Sequence, residues 1–260
     1  MSWPTARLTL RLRLPAAASA AVGLIAVMAA VGALFPSVGH TIGKINVPRG
    51  VSNLLGGGDY GTITGWFRSE IASIYGPLVI GALAITGASA VTAGEEEDGI
   101  LALILAHPIR RSRLIASKAA AIGAVVVIIA LSTWIGLIVG VALGGGGIAI
   151  AHMAALALQL AFFGFATGAV AIALGAGNGR RSAATAVAAA VAIVGWMINS
   201  FAPLVSGLAW LKYASLFYYY AGRDPLTRGV DVAGIIVLGV VTVVLTAVAM
   251  VGIDRRDLRA

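Results

Sequence analysis

Residues 119–179 read AAAIGAVVVIIALSTWIGLIVGVALGGGGIAIAHMAALALQLAFFGFATGAVAIALGAGNG, from Ala119 to Gly179, without one Asp, Glu, Lys or Arg. Drawn as one helix this stretch would be about 90 Å long, roughly three times the hydrocarbon thickness of a bilayer. It has to fold back on itself. Gly144, Gly145, Gly146 and Gly147 mark the turn, because consecutive glycines are poor helix formers. The reading predicts two adjacent membrane-crossing helices, at about 119–142 and 149–174.

The rest of the chain supports a lipid solvent. Hydrophobic residues make up 60% of the 260 residues and charged residues 11%, against roughly 25% charged in a soluble domain. Mean hydropathy is +0.99. So little charge cannot cover a water-exposed surface, and the same numbers exclude large disordered segments. There is no cysteine, hence no disulfide, thiolate metal site or cysteine nucleophile. The net charge of +8 suits nucleic acid in a soluble protein, but in a membrane protein it arises from basic loops. Richness in Ala, Gly and Arg fits a GC-rich bacterial source.

Charge-free intervals place the other spans at about 15–36, 73–93, 183–201 and 232–253, making six in a single transmembrane domain over 1–260. Six crossings put both termini on one side. That side carries twelve Lys and Arg residues, including Arg7, Arg110, Arg180 and Arg255; the other carries six, among them Lys44, Arg68 and Lys212. The excess predicts a cytoplasmic location for the first side. The first apolar run is longer than a signal-peptide core and has no clear cleavage site, which reads as an uncleaved signal anchor. Before it, Arg and Leu alternate over about 3–13, a pattern that suits a short interfacial helix or simple anchoring arginines. On the external side, the aromatics Tyr60, Trp66 and Phe67 fit a membrane interface. Residues 202–231 read as a re-entrant or interfacial aromatic hairpin before the last span. The fold class is therefore all-α, with six transmembrane helices.

Several chemistries are missing. No Asp, Glu, Lys or Arg falls inside these predicted spans, which counts against an ion-coupled carrier. His40, His107 and His152 fall in three different places, so no metal or catalytic cluster is legible. Gly87-Ala88-Ser89 has no histidine at comparable depth to serve as base. Glu95-Glu96 lacks the arginine that a di-glutamate protease motif wants four residues on; Ile100 stands there. No G-x-x-x-x-G-K-[ST] occurs, so the reading is of a non-enzyme without catalytic residues, metal or cofactor of its own. GxxxG spacings at Gly136, Gly140 and Gly144, and at Gly164 and Gly168, allow close helix packing but also arise by chance among 34 glycines. The polar residues Thr86, Ser89, Thr92, Gln159, Thr167, Asn199 and Ser200 either line a path or bond neighbouring helices.

Charge is gathered at one place, GEEEDGILALILAHPIRRSRLIASK, residues 94–118. Four acids, Glu95, Glu96, Glu97 and Asp98, precede a short apolar helix, and four bases, Arg110, Arg111, Arg113 and Lys118, follow it. That order matches the helix dipole, and Pro108 ends the helix, expected over about 97–107. Too short to cross and too apolar to stand in water, it either docks on a protein partner or lies on lipid headgroups with its charges solvated.

This stretch resembles the cytoplasmic loop of type-2 ATP-binding-cassette exporter permeases, with Glu97, Gly99, Leu101, Leu105, Pro108, Arg111, Leu114 and Lys118 in the corresponding places. Gly179-Arg180-Arg181-Ser182-Ala183 is similar to that family's basic turn before the fifth span. Leu211–Tyr220 with Asp224-Pro225-Leu226 resembles its external aromatic hairpin, and Asp254–Leu258 its usual end. Ile100 and His107 depart from the family's common residues.

The resemblance implies a permease subunit that exports a lipophilic or amphiphilic compound, such as an antibiotic or a lipid. ATP and Mg would be bound by a separate ATPase dimer. Sodium export or export for metal-site maturation is the nearest alternative. A secondary carrier or a regulatory membrane subunit is an alternative of another class. The short helix would be a coupling helix: Glu95, Glu96, Glu97 and Asp98 would pair with bases on the ATPase, while Leu101, Leu103, Ile104 and Leu105 fill its cleft. A second permease chain, identical or sibling, would complete the path, whose candidate lining residues are Thr86, Ser89, Thr92, Asn199 and Ser200. The partners are thus an ATPase, a second permease and lipid, not nucleic acid.

Overall fold

The computed structural model describes residues 3–39, 41, 59–106, 110–205 and 207–255. Among them there are helices and no strand. In chain order the helices are α1 (Trp3–Leu34), α2 (Ile63–Glu97), α3 (Ile100–Leu105), α4 (Arg111–Leu143), α5 (Ile150–Asn178), α6 (Arg181–Phe201), α7 (Leu216–Ala221), α8 (Pro225–Arg228) and α9 (Val232–Arg255). Six of these, α1, α2, α4, α5, α6 and α9, are long and apolar enough to cross a membrane. Short 3-10 turns at Ala202–Leu204 and Ala209–Ala214 connect α6 to α7.

Helix α5 is the axis of the bundle and packs against α2, α4, α6 and α9. Of its apolar segment 78% is buried within the chain, against 17% for α6 and for α9. Those two helices therefore turn most of their Val and Ile side chains outward, to lipid or to another protein. The turn before α5 falls on the glycine run: α4 stops at Leu143, and Gly145 takes φ +67°, a conformation costly for any residue with a Cβ.

The pairing of α1 with α4 is backbone against backbone. A Cβ on Gly140 would run into the Met28 carbonyl and the Phe67 ring, and one on Gly32 would run into the Gly140 carbonyl. Gly136 faces Met28 in the same seam. Small residues let two helices approach this closely, and dispersion across the seam holds them together. Gly164 and Gly168 likewise face Ile80 and Ala84 of α2, so both GxxxG spacings lie at helix contacts.

Two expectations differ from the structure. The Arg–Leu segment is no separate interfacial helix, since α1 runs unbroken from Trp3 through Pro15 to Leu34. Proline costs a helix one hydrogen bond, but buried Ala6, Thr9, Ala17, Leu24 and Met28 anchor α1 on both sides of it. Helix α2 begins at Ile63 rather than near residue 73, and it includes π-helical stretches at Arg68–Tyr75 and Ala90–Gly94. As a result Trp66 and Phe67 are buried within the bundle. The Trp66 indole Nε1 donates to the Val31 carbonyl at 2.9 Å.

At the end of the bundle far from α3, the aromatic hairpin folds back onto α2 and α5. Phe163 of α5 meets Phe217 at 4.7 Å and Tyr220 at 5.3 Å between ring centroids. The Tyr220 hydroxyl donates to the Ala72 carbonyl at 2.9 Å. Arg68 pairs with Asp224 at 2.9 Å and Arg223 with Asp231 at 3.2 Å. Aromatic area and ion pairs thus hold the hairpin against the first turns of α2.

Candidate coupling and translocation surfaces

Helix α2 ends in a turn that only its sequence could make. The Asp98 N–H donates to the Gly94 carbonyl at 2.9 Å and the Gly99 N–H to the Glu96 carbonyl at 3.1 Å. Gly99 sits at φ +71° with nothing within 4 Å of a would-be Cβ, so the backbone conformation, not space, demands glycine. The chain then reverses into α3, six residues long.

Helix α3 has an inner and an outer side. Leu101 is buried to 2% exposure in a cluster with Leu114 and Ile115 of α4 and Ile253 of α9, and Ile104 packs against that cluster. Leu103 is 72% exposed and Ile100 43%. Of the four apolar residues expected to fill a partner's cleft, Leu101 is a core anchor and Leu103 is the projecting one. Leu105 belongs to α3, but its side chain and the whole of His107, Pro108 and Ile109 lie outside the described residues.

The acids are largely used within the chain. Glu95 accepts from the Lys118 ammonium at 2.7 Å, with side chains 20% and 2% exposed respectively. Glu97 Oε1 accepts from the Arg181 backbone N–H at 3.1 Å, satisfying one of the orphan donors at the start of α6, where a negative charge also suits the dipole. Glu96 is buried, and only Glu97 and Asp98 remain exposed. Of the four acids expected to meet a partner, Glu95 is bonded to Lys118 and Glu96 is buried within this chain. Arg111 donates to the Ile253 carbonyl at 3.3 Å, joining α4 to the end of α9. The α2–α3 corner is thus bonded to the first turns of both α4 and α6. Lys118 directly precedes the charge-free stretch, and that position was the available signal that it needed an internal partner.

Between α2 and α6 runs an apolar groove of 410 Å³. Leu78, Ile85 and Thr86 line it from α2, Ala189 and Ile193 from α6. At the far end lies a second, polar cavity of 280 Å³, lined by Arg68, Asn199, Ser200, Lys212 and Asp224 among others. Ser73, Trp196 and Phe217 line both, so the two spaces are adjacent. Of the expected path residues, Thr86, Asn199 and Ser200 face these spaces. Ser89 and Thr92 do not. Ser89 is fully buried, and Thr92 donates to the Ala88 carbonyl at 2.7 Å and abuts Gly175 of α5. Helical twist carries the two past the groove-facing side. Sequence reading missed Trp196, Phe217 and Lys212, because nothing in their spacing shows that α7 folds back over the end of α6.

The model of the family "Multidrug efflux system permease Rv1217c, C-terminal domain" matches residues 4–253. The chain belongs to this family. A comparison with curated proteins gave no match. Family membership agrees with the resemblance to ATP-binding-cassette exporter permeases, and it implies an ATPase partner and a membrane location for this permease.

Proposed function

We propose that this chain is the membrane-spanning subunit of an ATP-driven exporter, with ATP hydrolysed on a separate ATPase dimer that grips α3 on the cytoplasmic side. The basic end, with both termini, faces the cytoplasm of a bacterial inner membrane. A second permease chain completes the pathway. The cargo is a lipophilic or amphiphilic compound, including antibiotics, a reading supported by the family's multidrug-efflux name and by the apolar groove.

One observation carries this reading: Leu103 is 72% exposed on a helix whose opposite side, at Leu101, is buried in a cluster with Leu114 and Ile115 of α4 and Ile253 of α9. A push on Leu103 and Ile100 moves α3 against Leu114 and Ile115. It reaches α2 through the Gly99 turn and α6 through the Glu97–Arg181 bond. Helices α2 and α6 are the walls of the groove, so the displacement changes its width. Exposed Glu97 and Asp98 stand beside the projection, where they meet bases on the partner.

The test is Leu103→Asp in the assembled transporter. Leu101→Asp would expose a core anchor and report only unfolding, whereas Leu103→Asp leaves the fold intact. The expected result is normal insertion and thermal stability, with loss of cargo-stimulated ATP hydrolysis and of transport. Undiminished stimulation in that variant would overturn the coupling role.

A further inference from the structure

The groove and the cavity at its far end differ in chemistry, and the difference defines a ligand. Along α2 the groove runs from Thr86 to Ser73, about 20 Å at 1.5 Å per residue, which is two thirds of the hydrocarbon thickness. Its walls are Pro77, Leu78, Ile85, Ile193 and small residues of α6. This length and polarity suit a single extended hydrocarbon chain.

The far cavity is charged. Arg68 and Asp224 both line it, but they neutralise each other at 2.9 Å. Lys212 is different. Among the described residues it has no carboxylate partner; its ammonium lies 5.2 Å from the Tyr213 ring centroid and 5.5 Å from that of Tyr218. The net charge of the lining is positive, with the amide of Asn199 and the hydroxyl of Ser200 on the same wall. Ser73, Trp196 and Phe217 form the boundary between the two chemistries.

We infer that the two spaces are one site for an anionic amphiphile, its acidic head on Lys212 and its hydrocarbon tail between α2 and α6. This deepens the exporter reading by naming a cargo class, and it makes Lys212 the specificity-determining residue. A cation–π contact in water is weak, whereas a phosphate or carboxylate gives the ammonium a charge-assisted hydrogen bond. A cationic amphiphile of equal length would bury the same tail but meet a like charge.

Absence of cysteine gives a clean assay. Ala189→Cys places a sole thiol on the groove wall, and its maleimide labelling is followed in lipid nanodiscs. The expected result is that monododecyl phosphate slows labelling at concentrations about tenfold below those required of dodecyltrimethylammonium, that Lys212→Gln abolishes the preference, and that Lys212→Arg keeps it. Basal labelling that is slow only in nanodiscs of anionic lipid identifies the bilayer as the source of the amphiphile. Fast basal labelling in both anionic and zwitterionic nanodiscs leaves a cargo molecule. Equal protection by the two amphiphiles, or an unchanged preference in Lys212→Gln, overturns the assignment. So does a thiol that is unreactive in every lipid and cross-links to a second chain, because a second copy then fills the groove. Labelling needs no ATPase, so this result and that of Leu103→Asp can fail independently.

Discussion

The Lys118–Glu95 pair offers the sharpest test of how the α3 corner is built. The ammonium and carboxylate are 2.7 Å apart, with Lys118 2% and Glu95 20% exposed. At an effective dielectric constant of about 20 their attraction is about 6 kcal/mol, and desolvation of the two ions offsets most of it. Little net stability therefore comes from having the pair, but much is lost by breaking it. Glu95→Gln leaves a cation stranded in the interior and is expected to cost about 3–5 kcal/mol. Lys118→Met strands the carboxylate instead, which retains some water, so its cost should sit at or below about 3 kcal/mol. Joining the two changes removes both charges, and the double variant should recover most of the loss. In a chain of this size about 3 kcal/mol corresponds to a drop of roughly 6–12 °C in apparent unfolding temperature. The assay is tryptophan-monitored unfolding in nanodiscs, arranged as a double-mutant cycle. If the losses of the single variants add in the double variant, the pair is not the unit described here, and the rigid link between α2 and α4 fails with it.

Other outcomes follow from single features. Gly99→Ala forces a Cβ into the left-handed region and should cost about 1 kcal/mol, with Gly99→Asn milder; unfolding temperature and stimulated ATPase activity measure both. Gly140→Val should separate α1 from α4 and destabilise the detergent-purified chain far more than Gly147→Ala, whose Cβ would meet nothing within 4 Å. Tyr220→Phe should lose about 1 kcal/mol with the bond to the Ala72 carbonyl, read as a lower unfolding temperature. Burial holds the Tyr220 phenol above its ordinary pKa, so the native state keeps a proton that the unfolded chain releases. The resulting contribution is constant below about pH 10 and is lost as pH rises above it. Tyrosinate absorbance in the folded protein should accordingly be the same with and without Tyr220 until the alkaline unfolding transition.

The class of fold was legible because lipid leaves so few solutions. An apolar stretch free of charge from Ala119 to Gly179 has to be helical, and it has to turn where four glycines stand. Composition, the spacing of charges and the charged stretch around α3 needed no coordinates, and they led to the permease family that the comparison supports. Helix limits were less legible. Charge-free intervals measure where charge is absent, while α2 carries Arg68 and Glu70 within it, and α4 buries Lys118 in its early turns.

What only the tertiary structure decided is which side of each short element faces inward. Leu101 and Leu103 are chemically alike and two residues apart, yet α4 and α9 cover one and leave the other projecting. Glu95, Glu96 and Glu97 read as one acidic run; their separate fates depend on Lys118 and on the start of α6, elements distant in the chain. Hydropathy along a chain records how much surface must leave water. Direction of burial is set by what packs alongside, a matter of contacts between segments whose relative placement no local pattern encodes.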